Sequence, residues 1–294
     1  MNKLLFYLLT IYFLCISGDR RNGRILCLIH TATPSHETRA KAVLETWAQK
    51  CDRYIFFTNS PMPSHIPHIA FSELSTRDHS WEKIRAVFKY SYENLYEKFD
   101  WYLRADDDAY IIMENLEKFV DQYDPNKPYL FGFRWNFYVK NGFADGGAYV
   151  ISREALRLFY NEMKYNATLC PEIHRAEEDQ EFAKCMSKIG VYPAQTSDEY
   201  GKQLFHHFHP VELKSTFLFQ FVVKYSQDKF EPFPHHYSRD SISMHHLSPF
   251  EMRMYHYLLY GVNYHQPESA RLDDQVDATA PKLKSAARKA VKTQ

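Results

Sequence analysis

The sequence predicts an α/β domain, a mainly parallel sheet flanked by helices, with a C-terminal part rich in aromatics and histidine. Three observations lead there. Between residues 24 and 190, short apolar runs alternate with longer segments of helical period. The chain has 294 residues, enough for one large α/β domain or two small ones, and 45% hydrophobic with 16% aromatic residues support a sizeable core. An aromatic strand candidate ends on Asp106-Asp107-Asp108, and open α/β sheets hold ligands at such strand ends.

The elements follow in order. Residues 4–16 are apolar after Met1-Asn2-Lys3, and Ser17-Gly18 follow. That run is shorter than the about 20 residues a bilayer span needs. Residues 1–18 therefore read as a signal peptide or a short signal anchor. Arg20, Arg21 and Arg24 lie on the side that an anchor would place in the lumen, which disfavours the anchor. Either reading puts the body in the secretory pathway, as a Golgi type II membrane protein or, with the leader cleaved, a secreted one. Residues 24–30 read as a buried strand, 35–49 as a helix with Ser35 as N-cap, and 53–58 as the next strand. Residues 59–76, with Pro61, Pro63 and Pro67, read as loop.

Residues 80–96 form a helical pattern through Trp81, Ile84, Val87, Phe88, Tyr92 and Leu95. A strand starts at Trp101 and leads into the three aspartates. A helix over 113–123 stops before Pro125. A short strand at 129–132, a glycine-bearing turn at 141–147 and a strand at 149–151 come next. Helices follow at 153–163 and 178–189. Beyond Gly201 aromatics and histidines are dense but weakly periodic. From residue 266 the chain is polar, Ala/Lys-rich and free of aromatics, and reads as a disordered tail.

Lys+Arg and Asp+Glu each number 36, so the formal net charge is zero. No basic stripe is interleaved with aromatics, which argues against a nucleic-acid partner. Cys15 lies in the leader. Cys27, Cys51, Cys170 and Cys185 are an even set in an oxidising compartment. The preferred pairing is local, Cys27–Cys51 and Cys170–Cys185. A metal site is the rival reading, but no spacing is CxxC. Asn166-Ala167-Thr168 is a glycosylation sequon, which makes Asn166 an acceptor candidate.

Three adjacent carboxylates repel one another unless a cation sits among them. Hard oxygen ligands suit Mg²⁺ or Mn²⁺, and such an ion at a strand end can grip a diphosphate. A solvated acidic turn capping the next helix is the competing reading.

Further segments occur with this motif in a fixed order: residues 24–27, 46–51, 100–110, 138–140, 146–152, Glu178-Asp179, Gly201-Lys202, Phe205-His206 and 243–245. Together they resemble the core 1 β1,3-galactosyltransferase (glycoprotein-N-acetylgalactosamine 3-β-galactosyltransferase) family, within the Fringe-like β1,3-glycosyltransferases. The resemblance spans roughly residues 24–264. It implies a single GT-A-type domain over residues 23–265, a UDP-galactose donor, Mn²⁺ and inversion at the anomeric carbon. It further implies transfer to the 3-hydroxyl of O-linked GalNAc on a glycoprotein acceptor, and is compatible with a homodimer.

The resemblance also implies roles. Asp106 and Asp108 match the ends of the family's DxD, with Asp108 a metal ligand and Asp106 facing the metal or the ribose. Asp107 joins the cofactor-binding set as a supporting carboxylate. His245 completes the metal site, with Met244 where the family has Phe. Asp179 aligns with the base, and Glu177 and Glu178 are neighbours that could raise its pKa. Thr31 falls where the uridine is contacted, and Lys83, after Trp81-Glu82, where the diphosphate is. His206 matches a family position without an assigned role. His207, His209, His235 and His236 read as ordinary histidines, with a separate histidine zinc site as the less favoured alternative. Tyr138, Trp135, Phe143 and Tyr149 are candidates for stacking on sugar, although most aromatics serve a core. Two departures stand out: the run 146–149 is one glycine short, and Asp145 replaces a small hydroxyl residue. The alternatives are a β1,3-glycosyltransferase with another donor or acceptor, and a non-catalytic homologue acting as a transferase chaperone. Retention of the DxD argues against the latter.

Overall fold

The computed structural model describes residues 24–74, 77–166 and 168–263. The leader at 1–18 and the tail at 266–294 lie outside the described residues. Ile25–His30 (β1), Arg53–Thr58 (β2), His68–Ala70 (β3), Trp101–Asp106 (β4), Leu130–Trp135 (β6) and Phe143–Ser152 (β7) form one sheet, ordered β3-β2-β1-β4-β7-β6. The first four are parallel, and β7 runs antiparallel between β4 and β6. Tyr110–Ile111 (β5) and Ser243–Met244 (β8) make a separate antiparallel pair.

Successive residues of a strand face opposite sides, so one strand feeds two cores. Ile25, Cys27, Ile29, Trp101, Leu103 and Ala105 face one core, shared with Trp47, Phe131 and Val150. Leu26, Leu28 and Tyr102 face the other, against helix Ser80–Leu95 (α2) through Trp81, Ile84 and Phe88. Helix Glu178–Lys188 (α5) adds Phe182 and Met186 there. Burial on both faces is why β1 and β4 read as continuous apolar runs. Helices Met113–Val120 (α3) and Arg153–Tyr165 (α4) follow β5 and β7. Cys27 is bonded to Cys51 and Cys170 to Cys185.

Four stretches differ from the sequence expectations. The helix at 35–49 is broken into a 3-10 turn Thr33–Ser35, a π-turn His36–Ala40, a short α-helix Lys41–Glu45 (α1) and a 3-10 turn Trp47–Lys50. Ser35 does not cap it; its Oγ instead accepts from Arg39 Nη2 at 2.9 Å. Thr46 ends α1 by donating back to the Ala42 carbonyl at 2.6 Å. The loop at 59–76 contains β3, a three-residue edge strand directly after Pro67. The glycine-bearing turn at 141–147 is not a turn from Phe143 onward but part of the ten-residue β7. The reversal lies just before it, where Tyr138, Asn141 and Gly142 have positive φ. The weakly periodic C-terminal part holds two helices, Thr216–Tyr225 (α6) and Pro249–Tyr260 (α7). Among the described residues no helix is long and apolar enough to cross a membrane.

Candidate active site

The site lies where β1 and β4 end side by side, His30 opposite Asp106 in register. Asp106 is the last residue of β4, and Asp107 and Asp108 occupy the turn before β5. β8 pairs Met244 with Tyr110, which delivers His245 to the same place from the far end of the chain. His245 Nε2 lies 3.0 Å from Asp108 Oδ1 and 3.8 Å from Asp106 Oδ2. One ligand atom each from Asp106, Asp108 and His245 lie within 4.8 Å of one another. Two carboxylates and an imidazole at this spacing fit a hard divalent cation such as Mn²⁺.

The three aspartates meet different surroundings. Burial would raise Asp106, but Arg104 Nη2 at 2.8 Å and the nearby His30 hold it down at about 2. Asp107 is buried. Its Oδ2 accepts from Thr31 Oγ1 at 2.6 Å, and Arg39 Nε pairs with its Oδ1 at 2.9 Å. Burial nevertheless pushes it up to about 7. Asp108 also pairs with Arg39, at 3.2 Å. Thr31 is thus buried with its hydroxyl engaged, and of the three aspartates only Asp107 is buried. Lys83 is buried on α2, where burial lowers its pKa and its charge is felt by His30.

Asp145, noted above only as a departure, is central. It is 5% exposed and accepts from Trp135 Nε1, Gly147 N and His207 Nδ1, at 2.9, 2.9 and 2.5 Å. Its Oδ2 lies 3.6 Å from His245 Nδ1. Burial would raise its pKa, but His207 and His245 hold it well below the carboxylate range. Burial would lower His245, yet Asp108 and Asp145 hold it up at about 10. A carboxylate behind an imidazole fixes the ring's orientation and tautomer for ligation.

The register between β6 and β7 shifts here. Gly132 pairs with Tyr149, and Arg134 with Ala144, so residues 145–148 bulge from the ladder. Bulges re-aim side chains and often adjoin active sites. Gly147 is required on this bulge, because an added Cβ would stand 2.2 Å from His245 Nδ1. Gly146 N donates to Asp179 Oδ2 at 3.0 Å, and Gln180 N donates to Asp179 Oδ1 at 2.8 Å. Adjacent glycines thus bring Asp179 and His245 to one bulge.

Asp179 is raised to about 6, by burial first and by the charge of Asp145 second, rather than chiefly by Glu177 or Glu178. Glu178 turns inward instead. It meets Arg104 Nη2 at 3.0 Å and Tyr149 OH at 3.2 Å, and burial pushes it up to about 8. Arg104 therefore ties the Asp106 end of β4 to the start of α5.

Of the sugar-stacking candidates, Trp135, Phe143 and Tyr149 are buried and serve the core. Only Tyr138 exposes its ring, at 44%, with its hydroxyl on Glu181. His206 is buried against Ser241 and Tyr237, with burial holding its pKa well down. Asn166 caps the end of α4 and is half-buried, while Ala167 of its sequon lies outside the described residues. Arg39 and His30 carry no local signal in the sequence. Arg104 does carry one, as a charge inside an apolar strand.

Comparison with known proteins adds to this geometry. A family model described as Fringe-like matches residues 21–260. The glycoprotein-N-acetylgalactosamine 3-beta-galactosyltransferase 1 of Xenopus laevis is 31% identical over 252 residues, covering 82% of this chain and 68% of its own. Human chondroitin sulfate synthase 3 is 26% identical over 196 residues, covering 60% of this chain and 22% of its own. A solved glycosyltransferase involved in the glycosylation of the major capsid of PBCV-1 overlays 80% of this chain and 99% of that one, at TM-score 0.42 and 15% identity.

Proposed function

This chain belongs to the Fringe-like family, within its core 1 β1,3-galactosyltransferase group, and on that premise we propose that it is a metal-dependent inverting enzyme. It moves galactose from UDP-galactose to the 3-hydroxyl of O-linked GalNAc on glycoproteins. The observation that carries this reading is the convergence of Asp106, Asp108 and His245 on one point, with Asp179 hydrogen-bonded to the bulge that makes room for His245.

Asp106, Asp108 and His245 would hold Mn²⁺, which when bound supplies positive charge to the diphosphate of the leaving UDP. The chain's own residues do the rest. Asp145 and His207 keep the His245 ring aimed at the carboxylates. Arg39 and Thr31 fix Asp107 so that the turn cannot splay under its own repulsion. The acceptor oxygen attacks the anomeric carbon as the bond to the UDP oxygen breaks, and UDP leaves with that electron pair. Asp179 takes the acceptor's hydroxyl proton in the same step. Two backbone N–H groups hold its carboxylate in place for this. We further assign the chain to the lumen of the secretory pathway, the Golgi above all, where the Asn166 sequon is a candidate for glycosylation.

The test is to incubate the purified full chain with Mn²⁺, a panel of UDP-sugars and a GalNAc-bearing peptide, and read product mass. A single hexose gained with UDP-galactose only, and lost with EDTA, is the expected result. A product with another UDP-sugar would overturn the donor assignment. No product with any of them would overturn the enzyme reading.

A further inference from the structure

A second group of possible metal-ligating side chains, sharing no residue with the aspartate turn, lies at the start of α2. His79 directly precedes the helix, and Glu82 sits in its first turn, three residues on and on the same face. His174 arrives from the segment between Cys170 and α5. His174 Nδ1 lies 2.8 Å from Glu82 Oε2, and His79 Nε2 lies 4.0 Å from the same oxygen. The two imidazoles meet edge to face, with centroids 4.7 Å apart. The Glu82 side chain is only 11% exposed, while His174 is 71% exposed and open to an entering ion.

We propose that His79, Glu82 and His174 form a divalent-cation site of the zinc class, separate from Asp106, Asp108 and His245. Two imidazoles and one carboxylate are a zinc donor set, with a fourth position left for water. Tetrahedral zinc with bonds of about 2.0–2.1 Å sets its ligand atoms about 3.4 Å apart. The two separations to Glu82 Oε2, 2.8 and 4.0 Å, bracket that value, and all three ligand atoms lie within 4.8 Å of one another.

The site has a consequence for the segment it grips. That segment is already stitched to α2: Trp81 N donates to the Arg175 carbonyl at 3.0 Å and Trp81 Nε1 to the Pro171 carbonyl at 2.8 Å. Three residues beyond Arg175 come Glu178 and then Asp179. A cation bound here pins the approach to α5 and slows tryptic cleavage after the exposed Arg175.

The experiment uses the full chain carrying Asp108→Asn, which disables the other cation site, and titrates zinc against a chromogenic chelator. One zinc equivalent should bind, and His174→Ala and Glu82→Gln should each weaken it by roughly tenfold or more. Zinc should also slow cleavage after Arg175 in the starting chain and not in His174→Ala. No zinc uptake would overturn the proposal. So would uptake that survives His174→Ala or Glu82→Gln, or uptake lost instead with His246→Ala, which belongs to the His207–His245–His246 group that shares His245 with the aspartate site.

Discussion

Asp145 receives three hydrogen bonds and faces the back of His245, so a single carboxylate sets the orientation of two imidazoles. Asp145→Asn keeps the size and loses the charge that holds those rings. It should weaken Mn²⁺-dependent UDP binding by about 10–100-fold, read by titration at fixed Mn²⁺. Asp179 makes the opposite prediction. Asp179→Asn should keep UDP binding and lower turnover by about 10²–10⁴-fold, as loss of a general base does. Its pKa is raised to about 6, so the carboxylate is charged above that pH and neutral below it. Transfer should therefore fall as the pH drops through about 6, measured with donor and metal saturating. Asp106, Asp108, Asp179 and His245 were legible because each belongs to an ordered set of motifs. Arg39 and Asp145 were not, because what makes them matter is a partner 69 or 62 residues away, Asp108 or His207. No local pattern encodes that distance.

At the scale of elements, the bulge at residues 145–148 turns a strand into a cradle. Gly147→Ala places a methyl group where the His245 ring stands, so the ring must move off Asp108. The expected result is a loss of Mn²⁺-dependent UDP binding comparable to that of His245→Ala, with the thermal midpoint little changed. Gly146→Ala is the milder contrast, since its Cβ would rest 3.2 Å from Asp179 Oδ2 and shift the proposed base by tenths of an ångström. The parallel strands were readable as apolar runs because both their faces are covered. The bulge was not, because Gly-Gly reads as a turn until a register is known. The two C-terminal helices hid for another reason. Residues 216–225 are apolar on nearly every side, and Val222 alone is buried there, so no period of 3.6 stands out. Their caps were the available signal: Ser215 before α6, and Ser248-Pro249 with Glu251 as a capping box before α7.

For the molecule as a whole, the sheet order brings the ends of β1 and β4 together, and β5 with β8 returns His245 to them. Residues as far apart as Thr31 and His245 therefore share one site, and the aspartate turn is held by Arg39 and Thr31 rather than left as a solvated cap. The central claim is that this convergence is a metal-dependent UDP-sugar site. Calorimetric titration of UDP into the full chain, with and without Mn²⁺, tests it most directly. UDP binding should require Mn²⁺ and disappear in both Asp108→Ala and His245→Ala. UDP binding of equal strength without Mn²⁺, or unchanged in those two variants, would contradict it.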